Sequence, residues 1–358
     1  HPSLPAGTPF GLIGTSSFYK RNTAPGFGVK EYDGLDPFNS AQNLASSNWT
    51  LQGADAGKYT DEDIFAVRIL TMEPSSQLNS GAPFAREFMN HANERLRILG
   101  ELPLRKVDAN GEAFLDPEGN PDTSFLAKIP ADVPFTFQTL DRNGMVLNMS
   151  QTWHQVRPGE ARYNCGGCHA HAQNGLDFSL TLAARDDYKI SDLTDGATLL
   201  LNSDDGEPML QKQAAGAVDV EYYRDIKPIL SRSCVKCHSK NLDEPAAELV
   251  LDDESVVRDY ENTYHRLAND ERAQYGRQPV TRRKGWHQSN ASRYIRKFQS
   301  RRSLLVWKIF GQRLDGWTNA DHPTESVPGD ASTLPEGADP NLADIDFVGT
   351  VMPPPDSG

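Results

Sequence analysis

The chain has 358 residues, a formal net charge of −13 and 37% hydrophobic residues, with a mean hydropathy of −0.58. That length suits two or three domains, and the low apolar content leaves much of the chain as loop and polar surface. No run of 18 uncharged apolar residues occurs, which excludes a transmembrane helix within this sequence, and the acidic balance argues against a nucleic-acid binder.

Residues 1–60 are rich in Gly, Pro, Ser and Asn without a sustained period, so they are predicted to form an irregular arm. Residues 61–72 carry an acidic cluster followed by Ile64-Phe65-Ala66-Val67-Arg68-Ile69-Leu70, where β-branched content favours a strand. Residues 83–95 read as a helix containing His91. From about 96 to 157 the signals are β. Leu96, Ile98 and Leu102 precede turn material at Asp108-Ala109-Asn110-Gly111 and Asp116-Pro117-Glu118-Gly119. Strands are then expected at 125–129 and 135–140, a hairpin turn at Asp141-Arg142-Asn143-Gly144, and a return strand over 145–153. The aspartate-rich turns invite a calcium reading, but they lack the spacing of an EF-hand loop, and ordinary turn chemistry accounts for them.

All four cysteines fall into two copies of Cys-x-x-Cys-His: Cys165-Gly166-Gly167-Cys168-His169 and Cys234-Val235-Lys236-Cys237-His238. This is the attachment signature of c-type haem, with thioethers from each cysteine pair and the adjacent histidine as proximal ligand. A disulfide redox pair or a four-thiolate zinc site through Cys165, Cys168, Cys234 and Cys237 is the competing reading. It leaves a histidine after each pair unexplained. The cofactors expected are therefore two covalent haems, and the function electron transfer by a dihaem cytochrome c.

The second motif ends a short helix, with Asp225 as expected N-cap, Pro228 in its first turn, and Ile226, Ile229 and Leu230 on its apolar face. A further helix is predicted over 303–310, stopped by Gly311. For the second iron the sixth ligand is assigned to Met352, in the stiff stretch Val351-Met352-Pro353-Pro354-Pro355. His265 and His287 are the alternatives. For the first iron the candidates are His154 and His91, with His171 too close to His169 to reach the opposite face. An open site, or a neighbouring subunit's residue such as His1, stays in play.

Charge is segregated. Residues 264–313 carry 13 Lys/Arg against Asp270 and Glu271, and residues 314–358 carry nine acids and no Lys or Arg. These segments are expected to pair with each other, and some arginines to hold haem propionates.

The stretch from Tyr223-Arg224-Asp225-Ile226-Lys227-Pro228-Ile229-Leu230 to Cys234-Val235-Lys236-Cys237-His238 resembles planctomycete-type cytochrome c domains. In those, a later Met-Pro-Pro loop carries the distal ligand, which maps here to Met352. Asn90-His91-Ala92-Asn93-Glu94-Arg95, Arg157-Pro158-Gly159-Glu160 and Cys165-Gly166-Gly167-Cys168-His169 together resemble the middle region of hydrazine synthase alpha-subunit-like proteins. The resemblance spans roughly residues 60–355 and implies a β domain leading into a haem motif, followed by a second cytochrome domain. Two departures from that pattern stand out: there is no room for a large N-terminal propeller, and the sequence ends six residues after Met352.

The expected architecture is α+β. An N-terminal arm (1–60) and a small β-sandwich-like domain (61–160) precede a first haem segment (161–217) and a second cytochrome c domain (218–358). The last two are read as mainly α-helical, loop-rich and carrying both haems. A start at His1 rather than Met is expected of a product cleaved from its signal peptide, which places the protein in the periplasm or outside the cell. The expected partner is a redox protein, with self-association into a haem chain as a further expectation. The enzymatic alternative leaves the first haem open for peroxide or nitrogen-compound redox chemistry.

Overall fold

A computed structural model describes residues 4–5, 7–20, 59–73, 95–149, 153–163, 174–195, 198–201, 208–211, 219–257, 260–268, 294–295, 300–327, 330–338 and 344–355. The architecture is α+β, with sheets dominating and few helices. The chain divides into two compact units, one holding residues 60–219 with the N-terminal strand, the other holding residues 220–358.

The first unit contains two sheets. A four-stranded sheet has the order β7(Ala161–Arg162)–β1(Phe10–Thr15)–β4(Phe125–Pro130)–β8(Ser191–Asp192). A six-stranded sheet has the order β10(Pro208–Gln211)–β9(Thr198–Leu201)–β3(Arg95–Pro103)–β2(Ala66–Glu73)–β5(Phe135–Leu140)–β6(Val146–Met149). The sheets meet where Leu193 packs against Gly100: a Cβ on that glycine would lie 2.5 Å from Leu193 Cδ2. Along β2 the run Ala66, Val67, Ile69, Leu70 and Thr71 is buried, and Arg68 interrupts it. Arg68 is satisfied across the ladder: its cross-strand partners are Glu101 and Gln138. Its Nη2 stands 2.6 Å from Glu101 Oε1 and its Nη1 donates to Gln138 at 3.3 Å. The buried Glu101 carboxylate persists because it is both paired with Arg68 and hydrogen-bonded by Leu201 N.

The expected strands at 61–72, 96–102, 125–129, 135–140 and 145–153 correspond to β2 to β6. Two readings change. The N-terminal arm is not wholly irregular, because Phe10–Thr15 forms β1, buried from Gly11 to Thr15 and paired with β4 and β7. Its glycines, which weaken a strand signal, are there for close approach. A Cβ on Gly14 would sit 2.5 Å from the Phe125 carbonyl oxygen, and one on Gly11 2.6 Å from Val156 Cγ2. The second change concerns 161–217, expected to be largely helical. Its described elements are β7 to β10 and two single helical turns at Phe178–Leu180 and Leu182–Ala184. The expected helix over 83–94 lies outside the described residues, and Arg95 opens β3.

The three aspartate turns share one design. In each, the aspartate Oδ1 accepts backbone N–H groups two and four residues on, at 2.8–3.0 Å, from Asn110 and Glu112, Glu118 and Asn120, Asn143 and Met145. Gly111, Gly119 and Gly144 close them at φ 84°, 84° and 74°, a conformation glycine adopts without steric cost. The carboxylate oxygens thus serve the backbone, and no cluster of three metal-ligating side chains forms among the described residues.

The second unit is loop-rich. Its helices are α1 (Lys227–Ser233), α2 (Asn262–Ala268) and α3 (Leu304–Phe310), with a two-stranded ribbon of β11 (Val256–Val257) and β12 (Tyr260–Glu261). A core of Leu230, Leu249, Leu251 and Leu267 gathers Tyr222, Ile226, Cys234, Val235 and Leu305 around it. The helix over 303–310 appears as expected, with Ser303 at its N-cap and Gly311 at φ 72° ending it. Asp225 does not cap α1. A five-residue wide turn, Tyr222–Ile226, precedes the helix. Glu221 caps that turn: its carboxylate accepts from Arg224 N, while Asp225 accepts from Glu221 N at 2.8 Å, and Ile226 stands at the N-cap of α1 without a side-chain bond. Among the described residues no helix is long and apolar enough to cross a membrane.

Two tests follow for the first unit. Gly14→Ala drives a methyl into backbone rather than into a yielding side chain, so a loss of about 1–3 kcal/mol is expected by urea denaturation. Lys106 is half-buried, with its ammonium donating to the Ser124 carbonyl. Burial pushes it down to about 8, against the opposing pull of Asp122. Below pH 8 both folded and unfolded states carry the charge, and the burial penalty stands in full. Between 8 and 10.5 only the unfolded lysine retains its proton, so stability rises with pH. Lys106→Met is expected to flatten that rise by roughly 1–3 kcal/mol, read from urea midpoints across that range.

Candidate haem site

Helix α1 delivers the second Cys-x-x-Cys-His motif. The helix ends at Cys234, whose carbonyl accepts from Cys237 N at 3.2 Å and from His238 N at 3.1 Å. One tight turn therefore carries both thiols and the imidazole. The thiols are free, Cys234 half-buried and Cys237 exposed, and burial pushes the Cys234 thiol up. The segment after the motif folds back on it. Ala246 N donates to the Cys237 carbonyl at 2.9 Å and Leu251 N to the His238 carbonyl at 2.8 Å. The His238 ring donates from Nδ1 to the Ala246 carbonyl at 3.0 Å. That bond assigns the proton to Nδ1 and leaves the Nε2 lone pair available to a metal.

Two residues after that carbonyl are unusual. Ala247 and Glu248 both have φ 55°, left-handed values that cost of order 1–3 kcal/mol each in non-glycine residues. Nothing in the sequence marks them, since neither type favours this conformation.

The helix carrying the motif is anchored by Lys227, whose ammonium meets Glu261 Oε1 at 2.6 Å and Glu254 Oε1 at 2.9 Å. These carboxylates push the lysine up. Beside it Tyr222 packs edge-on against Tyr223 and Tyr264, with centroids 5.1 Å apart in each pair, and burial pushes its hydroxyl to about 12.

Met352 sits on a loop tied to α3: its backbone N donates to the Lys308 carbonyl at 2.7 Å. Lys308 Nζ in turn donates to the Val348 carbonyl, and a Cβ on Gly311 would touch Val351 at 3.3 Å. Because Leu305 of α3 packs with the core that holds Cys234 and Val235, the motif and the methionine loop are anchored to one body. His265, the alternative ligand, is buried in α2 with Nε2 donating to the Val257 carbonyl at 2.9 Å.

For the first motif, Cys165, Cys168 and His169 lie outside the described residues, as do His91, His171, His1 and His287. Its flanks are placed. Tyr163 follows β7 and meets Phe178 with centroids 4.8 Å apart, in a core with Leu12, Leu126 and Ala183. His154 pairs with Phe135 at the end of β5 and stacks on Phe137, centroids 5.0 Å apart at 15°.

The basic and acidic segments do pair. Arg302 meets Asp344 at 3.2 Å, and Arg313 meets Asp315 at 2.6 Å and Asp344 at 3.4 Å, all buried. Arg302 and Arg313 thereby serve the tail carboxylates. Arg282, Arg283, Lys284, Arg293, Arg296 and Lys297, also in the basic stretch, lie outside the described residues. Asp344 serves two buried guanidinium groups, Arg302 and Arg313, of which Arg313 keeps Asp315, so Asp344→Ala is expected to cost about 3–5 kcal/mol, measured by chemical denaturation.

The residues present fit a covalent haem at the second motif: two unbridged thiols, an imidazole with Nε2 available, and exposed Ile229 and Leu242 on the same segment. Residues 63–170, which include the first motif, match the family described as "Hydrazine synthase alpha subunit middle domain". The chain is 25% identical over 306 residues to hydrazine synthase subunit alpha of Kuenenia stuttgartiensis, covering 74% of this chain and 34% of that protein. It thus spans about a third of the relative's length. A solved structure of Kuenenia stuttgartiensis hydrazine synthase aligns with a TM-score of 0.47 at 20% identity, over 93% of this chain and 40% of the other. The chain is similar to the alpha subunit of hydrazine synthase, a likeness that reaches well beyond the matched middle domain.

Proposed function

We propose that this chain is a two-haem redox protein acting on small nitrogen compounds, with the first haem as the reaction centre and the second as its electron relay. The observation that carries the reading is the His238 ring, held by the Ala246 carbonyl one turn after two free cysteines. Similarity to a hydrazine synthase subunit favours an enzyme over a simple carrier. When bound, haem supplies one-electron redox chemistry, and an iron with an open sixth position also accepts substrate.

Within this reading Cys234 and Cys237 would tether the second group and His238 would hold its iron. Met352 would hold the same group from its loop, and a His/Met pair would raise the potential relative to two histidines. Cys165, Cys168 and His169 do the same tethering at the first site. No second strong ligand is assigned there, which is why that site is given the chemistry. His154, held at the sheet end by Phe135 and Phe137, is the nearest described histidine in sequence to that motif. Partner subunits and a compartment outside the cytoplasmic membrane belong to the same proposal.

The test is the protein produced in a host that attaches haem c. Mass spectrometry is expected to show two added haems, one of which disappears in Cys234→Ala/Cys237→Ala. The resting absorption and paramagnetic-resonance spectra are expected to show one high-spin iron that binds carbon monoxide when reduced, and one low-spin iron whose signature changes in Met352→Ala. A bare polypeptide would sink the haem reading. Two fully low-spin irons would leave an electron carrier and remove the enzyme.

A further inference from the structure

We propose that Ala247 and Glu248 are positioning residues. Their left-handed turn holds the Ala246 carbonyl on Nδ1 of His238, and so fixes the orientation and donor strength of that imidazole. The inference rests on the haem reading for its consequence, but its geometry concerns this chain alone.

Three described non-glycine residues have positive φ: Asp132, Ala247 and Glu248. Asp132 is of a type that tolerates the left-handed region through its short polar side chain. Alanine and glutamate gain nothing of that kind, and two in succession are costlier than one. Such outliers persist only where the surroundings over-determine them. Here they do. Ala246 N–H is held by the Cys237 carbonyl at 2.9 Å. Glu248 N donates to the Pro245 carbonyl at 2.8 Å and Leu249 N to the Ala246 carbonyl at 3.1 Å. The Ala246 carbonyl therefore accepts twice, from Leu249 N–H and from the His238 ring at 3.0 Å. A right-handed pair there would carry the chain on as helix, and Leu249 N–H and Leu251 N–H would no longer return to hold the Ala246 and His238 carbonyls. The left-handed pair reverses the chain, and Leu251 N returns to the His238 carbonyl at 2.8 Å. The backbone of the motif and the ring of its histidine are thus held by the same turn.

The chemical consequence is specific. An imidazole whose Nδ1–H is donated to a carbonyl is a stronger donor through Nε2. It favours the oxidised state of a bound iron and lowers its reduction potential. Losing the bond raises the potential and lets the ring rotate.

The experiment compares valine and glycine at the same positions. β-Branched residues are severe outliers in this region, whereas glycine adopts it freely. In the haem-loaded protein, Ala247→Val and Glu248→Val are expected to raise the ratio of reduced to oxidised second haem several-fold at a fixed applied potential. Ala247→Gly and Glu248→Gly are expected to leave that ratio unchanged. A turn that merely connects two segments would move the ratio equally in both pairs, or in neither, and either result overturns the proposal. A second readout needs neither variant nor haem. Nitrogen NMR of histidine-labelled native chain at neutral imidazole is expected to place the His238 proton on Nδ1. A proton on Nε2 overturns the geometry, and does so whether or not the haem reading stands.

Discussion

The second unit is organised around one short peptide segment returning onto the turn that precedes it. Ala246 offers its N–H to Cys237 and its carbonyl to the His238 ring, and Leu251 closes onto His238 from the next strand of chain. A motif of five residues has no internal means to hold an imidazole in one rotamer and one tautomer. The return segment supplies both, and it does so with backbone groups, which are rigidly placed and cannot be lost by side-chain motion. The leucines that follow it, Leu249 and Leu251, enter the same core as Leu230 and Val235, so packing of the unit and orientation of the ring are one event.

The first unit solves a related problem with a sheet. The described residues on either side of the first motif include Tyr163 before it and Phe178 after it, and those two rings meet in a core with Leu12 and Leu126. Asp122 and Ser124 fix the second flank. Asp122 Oδ2 accepts from Leu182 N at 2.8 Å, and Ser124 Oγ accepts from Ala183 N at 3.0 Å. The central strand β1 has to lie close to both flanks, which explains why it contains two glycines whose Cβ positions are already occupied. The described flanks of the first motif are thereby tied to the buried strands β1 and β4.

Much of this was legible in the sequence, and the failures have physical causes. Alternation and turn residues located β2 to β6 because those strands lie between tight turns with strong local signals, above all the aspartate-glycine turns. The strand β1 was missed because Gly11 and Gly14 answer to neighbours distant in sequence, Val156 and Phe125. The short strands β7 to β10 were missed because two-to-four-residue pairings carry no period to read. At the candidate site, spacing singled out Cys234, Cys237 and His238 as the expected attachment residues. The Ala246 carbonyl was invisible, because a backbone acceptor leaves no mark on residue type, and Ala247 and Glu248 sit in a conformation their types disfavour.

The opposed charges of residues 264–313 and 314–358 invite a picture of chains joined end to end by electrostatic attraction. The described pairs put part of that charge to a use within the chain. Arg302, Arg313, Asp315 and Asp344 are buried with one another inside a single unit, with Arg313 stacked over Trp307 at 4.3 Å and Arg302 over Trp317 at 5.2 Å. Buried ion pairs of this kind contribute little net stability over apolar replacements, because desolvation offsets most of the attraction. What they add is selectivity of arrangement: a planar guanidinium between a ring and a carboxylate accepts few alternatives. The pairs fasten the acidic tail beside α3, and the loop that presents Met352 follows directly from Asp344. The described part of the charge segregation, Arg302 and Arg313 with Asp315 and Asp344, therefore ties the segment that leads to the methionine loop back to its own chain.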